Sequence, residues 1–140
     1  MTNSVIDSSA YIGENVTIKN FCVIDKGVII GDNVYLDNYV NLGAGCHIEH
    51  NVKLKQGVIL ARGTLIYSGA FLGPHVVTLT DQKIGRTNTI IGQNAFIGSG
   101  VKILPDLRIG DNVIIGAMAL VHKDCLEAGT YVGVPVRKIK

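Results

Sequence analysis

The stretch VIIGDNVYLDNYVNLGAGCHI, residues 28–48, decides the fold. Ile30, Leu36, Leu42 and Ile48 fall six residues apart. Stepping back by six meets Ile24, Ile18, Ile12 and Ile6; stepping forward meets Leu54, Leu60, Ile66 and Leu72. The walk then fails, restarts at Ile91 and runs through Ile97, Ile103, Ile109, Ile115 and Val121. Two residues before most of these stands a small or β-branched residue, such as Val28, Val34, Val40 and Cys46, with Leu107 the large exception. Six is not a helical period. Apolar residues two apart share one face of a strand, so Val28-Ile29-Ile30 reads as a short strand and Gly31-Asp32-Asn33 as the corner after it. The last corner residue is often Gly or Asn (Asn15, Gly27, Asn33, Gly45, Asn51, Gly57), the residues that accept positive φ. A chain that turns the same way after every short strand winds into a coil. The fold class expected is all-β, a parallel β-solenoid with one continuous ladder of inward aliphatics.

Composition narrows the function. The 140 residues suit one domain spanning 1–140. A net charge of +2 points to no nucleic-acid partner. No apolar run approaches the ~18 residues of a membrane span, and MTNSVIDSSA lacks the features of a secretory signal. The expected location is cytoplasmic. The three cysteines, Cys22, Cys46 and Cys125, all fall in the small inward slot, with no CxxC spacing, so they read as buried core thiols. HIEH, residues 47–50, has the look of a metal pair. On the repeat, however, His47 is an outward strand residue and His50 lies in the next corner, so no metal is expected.

The units IGENVT, IGDNVY, LGAGCH, IGQNAF, IGSGVK, IGDNVI and IGAMAL resemble the hexapeptide repeat of the left-handed β-helix acyltransferases. The resemblance covers nearly the whole chain. It implies about eighteen residues per coil and a left-handed winding, against the hand that general crossover statistics favour. IGSGVKILPDLRIGDNVIIGAMALVHKDCLEAGTYVGVPVRKIK is similar to the closing coils of acetyl-CoA-dependent members, whose Gly-x-Pro tail is matched by Gly133, Pro135 and Arg137. NVKLKQGVILARGTLIYSGAFLGPHVV resembles the middle of the bacterial nucleotide-aminosugar N-acetyltransferases. Those continue with a Phe-Thr-Asn-Asp-x-x-Pro-Arg type segment. Here TLTDQKIGR keeps Thr80, Asp81 and Arg86 but lacks the Asn and Pro.

That resemblance points to the broken stretch. Leu72 to Ile91 is nineteen residues, one more than three units, so the register is expected to be displaced and a loop to protrude around residues 78–90 where the inward code is lost. His75 fills a corner slot that Gly or Asn usually takes, at the threshold of this loop. Its imidazole suits a general base, with His122 the runner-up. Asp81 would orient that histidine or bind a substrate amine. Thr80 and Arg86 would contact substrate, Arg86 through a phosphate. Ser99 and Ala117 are eighteen apart, so they should stack at successive corners. Together with Gly100 they would leave backbone groups open to pantetheine and to the oxyanion of a tetrahedral intermediate. Lys123, Arg137 and Lys138 would meet the phosphates of coenzyme A.

Many outward strand positions are apolar, among them Val23, Ile29, Tyr35, Ile59, Leu65, Phe71, Val77, Phe96, Ile114 and Leu120. Such faces need a partner, and the family implies a parallel homotrimer with sites between neighbours. The leading expectation is acetyl transfer from acetyl-CoA to an amine of a nucleotide-linked amino sugar. Transfer to a sugar hydroxyl, a metal-dependent hydratase of the carbonic anhydrase type and a non-enzymatic scaffold are the alternatives.

Overall fold

A computed structural model describes residues 3–80 and 88–140. Two-residue strands stack into three parallel sheets that form the sides of a prism. Sheet A runs from Val5–Ile6 through Ile59–Leu60, Val77–Thr78 and Lys102–Ile103 to Leu120–Val121; sheet B runs from Tyr11–Ile12 to Arg108–Ile109. Sheet C begins at Thr17–Ile18 and ends in a C-terminal hairpin, Gly129–Val132 with Arg137–Lys138. This is the left-handed parallel β-helix expected. The lower coils pair in steps of eighteen, as in Val5↔Val23, Tyr11↔Ile29 and Thr17↔Tyr35.

The inward ladder Ile24, Ile30, Leu36, Leu42, Ile48, Leu54, Leu60, Ile66, Leu72, Ile91, Ile97 and Ile103 is fully buried. Each such side chain removed from water contributes roughly 1.5–3 kcal/mol. The cysteines are buried free thiols. Cys46 donates to the Ala61 carbonyl at 3.1 Å, and burial pushes its thiol from 9.0 up to about 11. At the C-terminal end the hairpin closes the core with Tyr131 and Val136, 5% and 2% exposed. At the other end Ile6 remains 44% exposed.

The broken stretch resolves differently from its count. Above it the pairs are Leu65↔Ile90, Phe71↔Phe96 and Val77↔Lys102, twenty-five apart. The nineteen residues are therefore two ordinary steps, Leu72 to Thr78 and a resumed step to Ile91, plus seven extra at one corner. The coil register is not displaced. Nor does the inward code stop at Thr78: Thr78 holds the aliphatic slot and Thr89 the small slot, both buried with Thr64. The Ala61 N–H donates to Thr78 Oγ1 (2.9 Å), and Thr64 Oγ1 donates to the Ala61 carbonyl (2.7 Å). The 3.0 Å contact between the two hydroxyls must then run from Thr78 to Thr64, because each hydroxyl has one proton. A closed cycle results. It replaces a ladder bond: sheet A pairs Ile59 with Val77 but goes no further, and there the chain leaves the coil. Residues 81–87 of the expected loop, with Asp81 and Arg86, lie outside the described residues.

The corners stack into three edges. Positive φ in non-glycine residues sorts by edge. On the edge between sheets B and C it falls on Asn15, Asn33, Asn51, Asn94 and Asn112, whose short side chains tolerate it. On the edge between A and B it falls on Asp106. On the edge between C and A it falls on Phe21, Tyr39, His75 and Met118. Large side chains held this way cost about 1–3 kcal/mol each, and every one of them lies on a single edge.

Candidate active site

Strained residues cluster where function holds them, so the C–A edge is the candidate. Its last corner residues stack in the order Phe21, Tyr39, Gly57, His75, Gly100 and Met118. The His75 ring lies over Gly57, where an added Cβ would stand 2.5 Å from Nδ1. Met118 sulfur lies over Gly100 in the same way, 2.3 Å from a Cβ built there. Both glycines thus combine positive φ, 74° and 76°, with a neighbour that leaves no room for a side chain. The His75 ring has no hydrogen-bond partner among the described residues, while its carbonyl is held. Lys102 Nζ donates to the His75 and Gly100 carbonyls, each at 3.0 Å, bracing the corner on either side of Ser99.

The backbone of this edge is open in its upper half. Elsewhere the N–H of the middle corner residue is often capped by a side chain from the next coil. Asp32 caps Glu14, Asn38 caps Asn20, His50 caps Asp32 and Asp111 caps Gln93, at 2.7–2.9 Å. Ala117 has no atom with which to cap Ser99, and Val134 none for Ala117. Neither N–H has a partner among the described residues. Ser99 Oγ donates to the Pro74 carbonyl at 3.3 Å. Two free N–H groups therefore stand one coil apart, about 4.8 Å, above His75. Such donors suit the carbonyls of an extended amide chain or a developing oxyanion.

The structure gathers His75, Ser99, Gly100 and Ala117 on one edge. Arg137 pairs with Val132, just before the last C–A corner, and so tops that edge. Lys138 forms an ion pair with Glu127 at 3.1 Å. Lys123 does not join them: it follows Leu120–Val121 of sheet A and belongs to the A–B edge. His122 and Thr80 lie on that edge too. Sequence reasoning missed Lys102, although it is the charged outward residue among Val5, Val23, Ile59, Val77 and Leu120 of sheet A. It also missed Phe21 and Tyr39, which break the Gly/Asn habit just as His75 does.

A groove lies elsewhere. It is about 450 Å³, on the B–C edge, between Tyr67, Gln93, Arg108, Asp111 and Leu126. That edge carries asparagine or glycine at its positive-φ corners, and side chains cap its Glu14, Asp32, Ser68 and Gln93 N–H groups, so no large side chain is held there in an unfavourable backbone region. His50 also sits there. Its Nδ1 accepts the Asp32 N–H at 2.8 Å, which leaves the ring proton of the neutral form on Nε2. His47 faces outward on sheet B. Among the described residues no three His, Cys, Asp or Glu side chains gather to hold a metal, and no helix is long and apolar enough to cross a membrane.

Solved structures share this architecture. One is a point mutant of AntD, an N-acyltransferase from Bacillus cereus, in complex with dTDP and coenzyme A. It superposes with a TM-score of 0.75 at 24% identity over 99% of this chain and 81% of that one. Another is PerB from Caulobacter crescentus in complex with CoA and GDP-perosamine, with a TM-score of 0.54, 19% identity, and coverage of 99% and 55%. WeeI from Acinetobacter baumannii AYE gives 0.70 at 22% identity, with coverage of 96% and 57%. The chain thus spans just over half the length of the last two. No curated protein matches it. The family model described as bacterial transferase hexapeptide (six repeats) matches residues 9–44, 27–62 and 88–123. With its repeat, its three parallel sheets and these matches, the chain belongs to the bacterial transferase hexapeptide family.

Proposed function

We propose that the protein transfers the acetyl group of acetyl-CoA to the amine of a nucleotide-linked amino sugar along the C–A edge. The observation that carries this reading is the coincidence, on one edge, of the strained His75 corner and the uncapped Ser99 and Ala117 N–H groups. In support, AntD is known in complex with dTDP-4-amino-4,6-dideoxyglucose and coenzyme A, and PerB with CoA and GDP-perosamine. In this scheme pantetheine runs up the edge with its phosphates toward Arg137. The neutral amine attacks the thioester carbon. The carbonyl oxygen becomes an oxyanion held by the two N–H groups. Collapse expels the coenzyme A thiolate, and the proton lost by nitrogen passes to His75 and on to the thiolate. Lys102 fixes the corner that carries the base. Gly100 lets Met118 sit close above it.

Asp81, Thr80 and Arg86 enter as acceptor contacts. Thr80 lies on the A–B edge, across sheet A from His75. Packing of a second copy against sheet A would bring the A–B edge of one chain to the C–A edge of another. Sheet A is the suitable contact: Val5, Val23 and Ile59 are 66%, 40% and 45% exposed. Three copies packed by this face close a ring, and each site then combines the C–A edge of one with the insertion, and Lys123, of the next.

The test is release of free thiol from acetyl-CoA against a panel of nucleotide-linked amino sugars. Turnover with at least one is expected, and turnover with none overturns the reading. The His75→Ala variant separates acceptor types. A hydroxyl acceptor needs the base and should lose ~10²-fold or more in kcat. An amine, already nucleophilic when neutral, should lose less, because positioning dominates. Equal rates with every acceptor would make His75 a corner residue only.

A further inference from the structure

The middle corner residues of the A–B edge rise from Ser8 through Lys26, Ala44 and Arg62 to Thr80. Lys26 and Arg62 are exposed, and among the described residues neither side chain enters an ion pair or a hydrogen bond. The acids of this edge are engaged at their own corners. Asp25 Oδ1 accepts the Lys26 N–H at 2.7 Å. Asp7, which feels the Lys26 charge, accepts the Ser9 N–H and hydroxyl at 2.9 and 2.7 Å. In the next two coils the same position is Gly43 and Ala61, so the acid is lost where Arg62 enters.

The backbone between the two cations is open as well. The Ala44 and Arg62 N–H groups have no partner among the described residues. Arg62 cannot cap Ala44 in the way Asp111 caps Gln93, because a guanidinium only donates. Gly43 keeps the Arg62 N–H uncovered: a Cβ there would stand 2.8 Å from that nitrogen. A Cβ on Gly45 would meet nothing within 4 Å, so the space beside Ala44 is free. Lys26 and Arg62 stand two coil spacings apart, about 10 Å, and both side chains are long enough to converge on Ala44. Two cations and two N–H groups, donors all, suit a ligand that only accepts and carries more than one negative charge.

Height says which ligand that is. The Ala44 corner lies between one and two coils below His75, roughly 5–10 Å. In the proposed parallel packing, the A–B edge of one copy faces the C–A edge of the next at that height. Coenzyme A is assigned upward from His75, toward Arg137, so the rest of the acceptor runs downward from its amine. One sugar ring away from the amine stands its diphosphate. We propose that Lys26 and Arg62, with the Ala44 and Arg62 N–H groups, form the subsite for the diphosphate of the nucleotide-linked acceptor. This inference rests on the acetyl-transfer reading for the acceptor's identity, while binding tests it apart from turnover. Coenzyme A also carries a diphosphate, so the two sources are compared directly.

Lys26→Gln and Arg62→Gln remove charge from exposed positions, so both should fold with unchanged Tm. Titration of the wild type with UDP, dTDP and GDP should show binding that inorganic pyrophosphate displaces. Each variant should lose at least tenfold in affinity for the nucleotide that the wild type binds best, while affinity for coenzyme A stays within threefold. Arg62→Lys, which keeps the charge, should lose less than Arg62→Gln. That pattern supports the subsite even if no thiol is released in the transfer assay, which would count against the acetyl-transfer reading alone. A wild type that binds none of the three nucleotides, variants that bind as the wild type does, a loss as large for coenzyme A as for the nucleotides, or variants whose sole defect is a smaller species in sedimentation velocity would overturn the proposal.

Discussion

Capping at one residue separates a structural corner from an open one. Asp111 satisfies the Gln93 N–H at 2.7 Å, whereas Ala117, at the same place on the next edge, leaves the Ser99 N–H free. Ala117→Asp should therefore cap Ser99 and put a carboxylate where the coenzyme is proposed to lie. The variant should match or exceed the wild-type Tm while losing the thermal shift given by coenzyme A, which at a hundredfold excess over Kd is worth about 2.7 kcal/mol. A retained shift would place the coenzyme elsewhere. Cys46 makes a separate point about burial. Its folded thiol titrates at about 11 against 9.0 ordinarily, so the unfolded chain releases the proton first. Stability is full below pH 9 and declines as pH rises toward 11, by at most about 3 kcal/mol. Urea midpoints should fall across that window, and Cys46→Ala should flatten this part of the decline.

Among the elements, the strand Val77–Thr78 is the one where regular coil ends and the insertion begins. The cycle through Ala61, Thr78 and Thr64 holds it. Thr78→Val keeps the shape but leaves the Ala61 N–H without an acceptor in the core. A loss of about 1–3 kcal/mol is expected in urea denaturation. Because Thr64 and Thr78 share the cycle, the double Thr64→Val and Thr78→Val variant should lose less than the sum of the singles. Additive losses would mean the hydroxyls act separately. Periodicity could not find this element. An aliphatic code scores threonine as a failure, yet a hydroxyl that bonds to backbone can occupy an inward slot. The count of nineteen was right as arithmetic, but which corner received the surplus depended on which strands paired.

On the scale of the whole molecule, the proposed packing through the apolar outer face of sheet A would tie assembly to chemistry. Ile59→Asp puts a charge at the centre of that face without touching the core. It should fold, sediment as a smaller species and lose at least ~10²-fold in thiol release, as the proposed site shared between copies requires. A fully active monomer would show that one chain completes the site.

The six-residue walk by itself determined the solenoid, its inward ladder and the burial of the three cysteines, because solvent exclusion acts on every coil alike and leaves its period in the chain. It also marked His75 as a departure from habit and stacked Ser99 with Ala117. Only the tertiary structure decided that His75 shares their edge, that Lys123 lies on another, and that Phe21 and Tyr39 belong with His75. Residues in one column are eighteen or twenty-five apart along the chain, and the spacing changes where the insertion enters. Their neighbourhood is thus fixed by strand pairing rather than by sequence distance, as are the caps that close some backbone N–H groups and leave others open.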